Sequence, residues 1–84
     1  MARILEKPEE LRVSVNMQGV PLSMVRNGEN QRITKVYEQW RVAEEWWGKE
    51  VSHNYFKVKT NKGLVYDIYR EMPGGSWYLS KVYD

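Results

Sequence analysis

The chain holds one histidine, no cysteine and a large set of rings: four Trp, six Tyr and one Phe in 84 residues. These residue types limit the chemistry at once. Without cysteine there is no disulfide, no iron–sulfur cluster, no thiolate zinc site and no thiol nucleophile. A single imidazole rules out a multi-histidine metal centre. A Ser-His-Asp triad would need His53, which follows Ser52. Neighbours on a strand point to opposite faces, so this adjacency makes no dyad. The carboxylates Glu9, Glu10, Glu44, Glu45 and Asp67 fall mostly in loops or beside lysines. A glycosidase pair needs two carboxyls about 5–10 Å apart across a cleft, and so small a domain offers little cleft. No G-x-x-x-x-G-K-[ST] loop occurs, and Gly74-Gly75 reads as a hairpin turn. The sequence predicts no enzyme, no metal and no cofactor.

Rings and cations are better suited to binding. Tyr55, Lys57 and Lys59 alternate along one segment, and Tyr69 and Tyr78 recur in the next two. Exposed rings stack on bases while cations track phosphates, so these five residues are candidates for single-stranded nucleic acid. The same residues on a solvated sheet face would form only cross-strand pairs, about 0.2–1 kcal/mol each. Trp46 and Trp47, with Arg41 nearby in sequence, suit a protein contact, because exposed Trp anchors interfaces. If their segment is extended, one of the two indoles faces inward and the other outward. The formal charge, 13 Lys+Arg against 11 Asp+Glu, is only +2, too mild to identify a nucleic-acid partner without a basic face.

The elements that must position these residues form one small domain. Apolar residues make up 42% and charged residues 29%, near the globular average and away from the disordered and membrane classes. No apolar run approaches the roughly 18 residues of a membrane helix. No apolar segment with a small-residue cleavage site lies near Met1, so a cytoplasmic protein is expected. Residues 1–10 read as a polar lead-in in which Pro8 argues against a central strand, and residues 11–84 as a single β domain.

Alternation marks strands at residues 11–15, 20–25, 31–42, 54–60, 64–70 and 77–83. Asn27-Gly28 is a strong hairpin signal, and Gly63 suits the left-handed position of a three-residue turn. In the third strand a bulge near Thr34-Lys35 would bring Ile33 and Val36 to one face. Residues 43–50 read as a loop or a single helical turn. Six antiparallel strands with short connections and no good helix predict an all-β fold, a small partly closed barrel or rolled sheet.

The turns also set a register. Pairing Thr60 with Leu64 puts Phe56 opposite Ile68, Val58 opposite Tyr66, Tyr55 beside Tyr69 and Lys57 beside Asp67. Pairing Arg70 with Trp77 puts Ile68 opposite Leu79 and Tyr69 beside Tyr78. One face then holds Phe56, Val58, Ile68 and Leu79, to which Trp40 and Trp77 are added as expected core. The other is a row Tyr55–Tyr69–Tyr78 flanked by Lys57, Lys59, Asp67 and Ser80. A one-residue slip would bury the lysines.

Several motifs repeat a known plan: Trp40-Arg41, Glu45-Trp46-Trp47, Asn54-Tyr55-Phe56-Lys57-Val58, Gly63, Tyr66, Tyr69-Arg70 and Gly75-Ser76-Trp77-Tyr78-Leu79 with Val82-Tyr83-Asp84. They resemble an uncharacterised family of small bacterial domains. They are also similar to the C-terminal region of ImuB-type DNA repair proteins, relatives of Y-family translesion polymerases. Residues 4–11 resemble the segment leading into that region. The resemblance implies a non-catalytic adaptor near translesion synthesis, with a repair polymerase or its accessory protein as partner. The polymerase-like body and its metal-binding carboxylates have no counterpart in this chain, and no clamp-binding peptide is apparent. A monomer is the default expectation.

Overall fold

A computed structural model describes the backbone of residues 2–83 and the side chains of residues 9–45 and 47–83. It contains six antiparallel strands and, among the described residues, no helix: β1 (Ala2–Val15), β2 (Pro21–Arg26), β3 (Glu29–Trp46), β4 (Lys49–Thr60), β5 (Val65–Met72) and β6 (Ser76–Tyr83). The strands close a barrel in the order β1-β2-β3-β4-β5-β6. Closure depends on two long strands. The first part of β1 pairs with β6 and its end with β2, while the start of β3 pairs with β2 and the rest with β4. Each therefore belongs to two sheets, the arrangement by which a small β protein limits its open edges.

Residues 2–10 are part of the barrel wall rather than a lead-in. Ala2 pairs with Tyr83, and Glu9 with Leu79. Pro8 is accommodated because the β1–β6 register breaks between Ile4 and Glu9, where a missing N–H removes no ladder bond. Residues 43–50 are not a loop: β3 and β4 stay paired through Trp46↔Lys49. The connection is the two-residue turn Trp47-Gly48, with φ of 51° and 79°, the same double positive-φ turn as Asn27-Gly28 at 53° and 75°. Such turns match the twist of the flanking strands.

The register inferred from the β4–β5 and β5–β6 turns is observed as far as Ile68↔Leu79: Phe56↔Ile68↔Leu79 lies on the inner face and Tyr55↔Tyr69↔Tyr78 on the outer, but the β5–β6 register then shifts, so that Asp67 opposes Lys81 and not Ser80. The core comprises Leu11, Met24, Phe56, Val58, Tyr66, Ile68, Trp77, Leu79 and Val82, with Val13, Val15, Ile33 and Val36 packed against it. Phe56 and Trp77 meet with ring centroids 5.6 Å apart. Arg26 caps this core. Its guanidinium lies 5.6 Å from the centre of the Tyr66 ring, and its Nε donates to Glu9 Oε2 at 3.1 Å.

Trp40, expected in the core, is on the outer face and 37% exposed. The cause is a second irregularity in β3. Besides the one between Ile33 and Lys35, where a bulge was expected, the register shifts again between Val36 and Glu38. The extra residue, Tyr37, reverses the parity of everything after it. Val36 stays opposite Val58 on the core side, whereas Trp40 lands opposite Tyr55. The Met72-Pro73 peptide in the β5–β6 turn is cis.

Candidate functional site

Two separate places gather the residues suited to binding. The first is the outer face of the sheet. Strand spacing is close to ring-stacking distance, so rings at matched register positions form a row across four strands. Trp40 lies 5.2 Å from Tyr55 at 3° between planes, Tyr55 5.0 Å from Tyr69, and Tyr69 5.3 Å from Tyr78. His53 packs against Tyr69 at 4.7 Å, and its Nε2 reaches Glu71 Oε2 at 3.4 Å. Sitting in the middle, Tyr69 is only 7% exposed. Burial raises the hydroxyl pKa of both Tyr55 and Tyr69.

Beside this row lies a cation–aromatic cluster. Lys57 and Lys81 place their ammonium groups 4.6 and 4.9 Å from the centre of the Tyr83 ring, and Lys35 lies 4.8 Å from that of Tyr37. Tyr83 donates its hydroxyl hydrogen to Asp67 Oδ2 at 2.9 Å. Burial, then the hydrogen bond to Asp67 and the nearby carboxylates, pushes the Tyr83 hydroxyl up to about 12. Asp67 is 7% exposed, and its Oδ1 is buried without a hydrogen-bond partner. Tyr37, Glu38, Lys57, Val65 and Tyr83 line a shallow cleft of about 420 Å³.

The second place is the end of the β3–β4 hairpin. β4 pairs with β5 only from Ser52 onward, so among the described residues the hairpin beyond that point pairs only with itself. It stands out from the barrel as a two-stranded arm with Trp47 at its tip, 97% exposed. Glu44, Glu45 and Glu50 surround the tip against one cation, Lys49. Arg41, near the arm's base, lies 3.7 Å from Glu50.

The expected candidates therefore separate. Tyr55, Tyr69 and Tyr78 come together as read from the register, and Lys57 sits at the edge of their face. Lys59 lies opposite Lys35, away from the ring row. Arg41 neighbours Trp40 in the strand and points to the opposite face, so it does not join the tyrosines. Trp47 belongs to the arm, and the Trp46 side chain lies outside the described residues. Trp40, His53, Tyr83 and Lys81 were missed. Trp40 needed the Tyr37 bulge, and Lys81 and Tyr83 needed the register shift between Asp67 and Ile68. The arm had a usable signal in Gly48, which closes a two-residue turn as Gly28 does.

Among the described residues, no group of three or more His, Asp or Glu converges to hold a metal. No helix among them is long and apolar enough to cross a membrane. The chain matches no protein-family model, no curated protein and no solved structure.

Proposed function

We propose that this domain is a non-catalytic interaction module, an adaptor in a DNA repair or translesion assembly, and that it docks through the β3–β4 arm. The repair setting rests on the resemblance to ImuB-type C-terminal regions. The mode of action rests on one observation, Trp47. A left-handed backbone costs an ordinary residue about 1–2 kcal/mol, and Asn or Gly would occupy the turn at less cost. Trp47 adopts it with φ of 51° while exposing 97% of its surface. Backbone strain of this kind clusters at functional sites. An exposed indole is the residue type that anchors interfaces, and the carboxylates around it disfavour phosphate.

A second reading, single-stranded DNA on the outer sheet face, has support from Lys35, Lys57 and Lys81 beside Tyr37 and Tyr83. Against it, the ring faces in the row are occupied by one another, and Asp67 and Glu38 lie in the same area.

Titration of the domain with the host's translesion polymerase, its accessory protein and its sliding clamp, followed by sedimentation, tests the proposal. Binding to one of them, weakened at least about tenfold by Trp47→Ser, supports the adaptor. No binding to any of the three, together with oligonucleotide binding lost on neutralising Lys57 and Lys81, replaces it with the second reading.

A further inference from the structure

The arm offers more than its tip. β2 covers β3 only over Glu29–Arg32, and among the described residues nothing pairs with that edge of β3 afterwards. Its N–H and C=O groups there form an open ladder, a template for another strand. Proteins blunt such edges with bulges, prolines and charges. On β1, the portion paired with β6 has, among the described residues, an open outer edge that is blunted in this way, since its register breaks between Ile4 and Glu9 and the segment contains Pro8. On β3 both irregularities precede Glu38, and residues 38–46 run without one.

The side chains along this stretch give the edge a character. Trp40 and Val42 present half-exposed apolar surface on its outer face. Along residues 38–50, Glu38, Glu44, Glu45 and Glu50 outnumber Arg41 and Lys49, in a chain whose formal net charge is +2. Self-pairing of two arms would bring two net-negative segments together. A strand carrying lysine or arginine meets the opposite sign.

We infer that the free edge of β3 at residues 38–46 binds an extended basic segment of a partner protein by strand addition, with apolar residues of that segment against Trp40 and Val42 and cations opposite Glu38, Glu44 and Glu45. This rests on the adaptor reading and specifies its docking mode. Main-chain hydrogen bonds supply affinity in such complexes, and alternate side chains supply selectivity.

The probe is a capped peptide with lysine pairs at both ends and alternating valine and threonine between, about as long as the bulge-free edge. Three further ligands or variants accompany it: the same peptide with a central proline, its glutamate counterpart, and the domain carrying Glu38→Lys and Glu45→Lys together. Isothermal titration and amide hydrogen exchange are read on each. Expected are binding of the lysine peptide, added protection at alternate amides within residues 38–46, and loss of both with the proline peptide. The doubly reversed domain should prefer the glutamate peptide. Equal binding of the proline peptide would reduce the contact to charge alone and overturn strand addition, as would no binding of either parent peptide. Protection of the same amides in the free domain, with a dimer in sedimentation, would assign the edge to a second copy. Loss of the peptide effect with retained Trp47-dependent binding of a repair protein would sink this docking mode and leave the adaptor standing.

Discussion

The indole of Trp40 stacks nearly parallel to the ring of Tyr55, 3° between planes at 5.2 Å, on the solvent side of a sheet whose opposite side is packed by Phe56. Two large rings on one sheet thus do different work. Trp40 closes the end of a surface row. Phe56 fills the core at 3% exposure.

Stability should divide accordingly. Trp40→Ala loses one stacked pair and partial burial, and the stack itself is worth about 0.5–1.5 kcal/mol. Phe56→Ala leaves a cavity and should cost about 3–5 kcal/mol, enough to unfold a small domain in mild urea, so Phe56→Leu serves as the gentler comparison. Urea midpoints check the order. A Trp40→Ala loss as large as that of Phe56→Ala would return Trp40 to the core.

Trp47→Asn should stabilise the domain. Asn occupies the left-handed region at little cost, so up to about 1 kcal/mol of strain is relieved. For a domain of this size that raises Tm by about 4–8 °C. Asn27→Ala, at the equivalent turn position, should act in the opposite direction. A stabilised Trp47→Asn domain that no longer binds its partner would show residue 47 trading stability for contact. An unchanged or lowered Tm would remove the strain argument.

The outer face makes its own prediction with an oligonucleotide. If single-stranded DNA binds there, neutralising Lys57 or Lys81 should flatten the salt dependence, because fewer counterions are released. Tyr69→Leu should alter binding only as far as it alters stability, since the Tyr69 ring is sealed between its neighbours. A loss of about 1–3 kcal/mol in binding with stability unchanged would mean that bases do reach the ring.

The β4–β5–β6 register could be read from sequence because short turns with glycine fix the pairing and a one-residue slip would bury lysines. It puts Phe56 on Ile68 and Tyr55 on Tyr69, the pairs observed. β3 resisted for a physical reason: an inserted residue leaves no mark in composition but inverts every later side chain. Thr34 could be guessed because Ile33 and Val36 needed a common face. Tyr37 could not, and Trp40 was misplaced with it. The arm was hidden because its strands bury little, so the apolar–polar alternation that marks a half-buried strand is weak along residues 43–50. Pro8 misled through a sound rule, since proline does break a ladder, and β1 uses it where the ladder is already broken.

Burial of the Tyr83 hydroxyl, together with its hydrogen bond to Asp67, should govern alkaline behaviour. In the folded domain burial, followed by the bond to Asp67, pushes the Tyr83 hydroxyl up to about 12. Unfolded, a tyrosine titrates near 10. Between these values the folded state binds the proton that the unfolded state has released. Unfolding free energy therefore falls as pH rises through that window. The contribution is complete below about pH 10 and lost by about pH 12. Tyr55 and Tyr69, also raised by burial, add to the same alkaline limb. Tyr83→Phe should flatten that limb. It should also cost about 1–3 kcal/mol at neutral pH, because Asp67 would lose the partner of Oδ2 while Oδ1 already lacks one. Asp67→Asn should lower the Tyr83 hydroxyl toward its ordinary value by removing the facing negative charge. Tyrosinate absorbance against pH, with urea unfolding at about pH 9 and about pH 11, measures both effects. A Tyr83 hydroxyl titrating near 10 in the folded domain would show that it is not held buried against Asp67, and a Tyr83→Phe domain as stable as the parent would show that the bond to Asp67 adds nothing to stability.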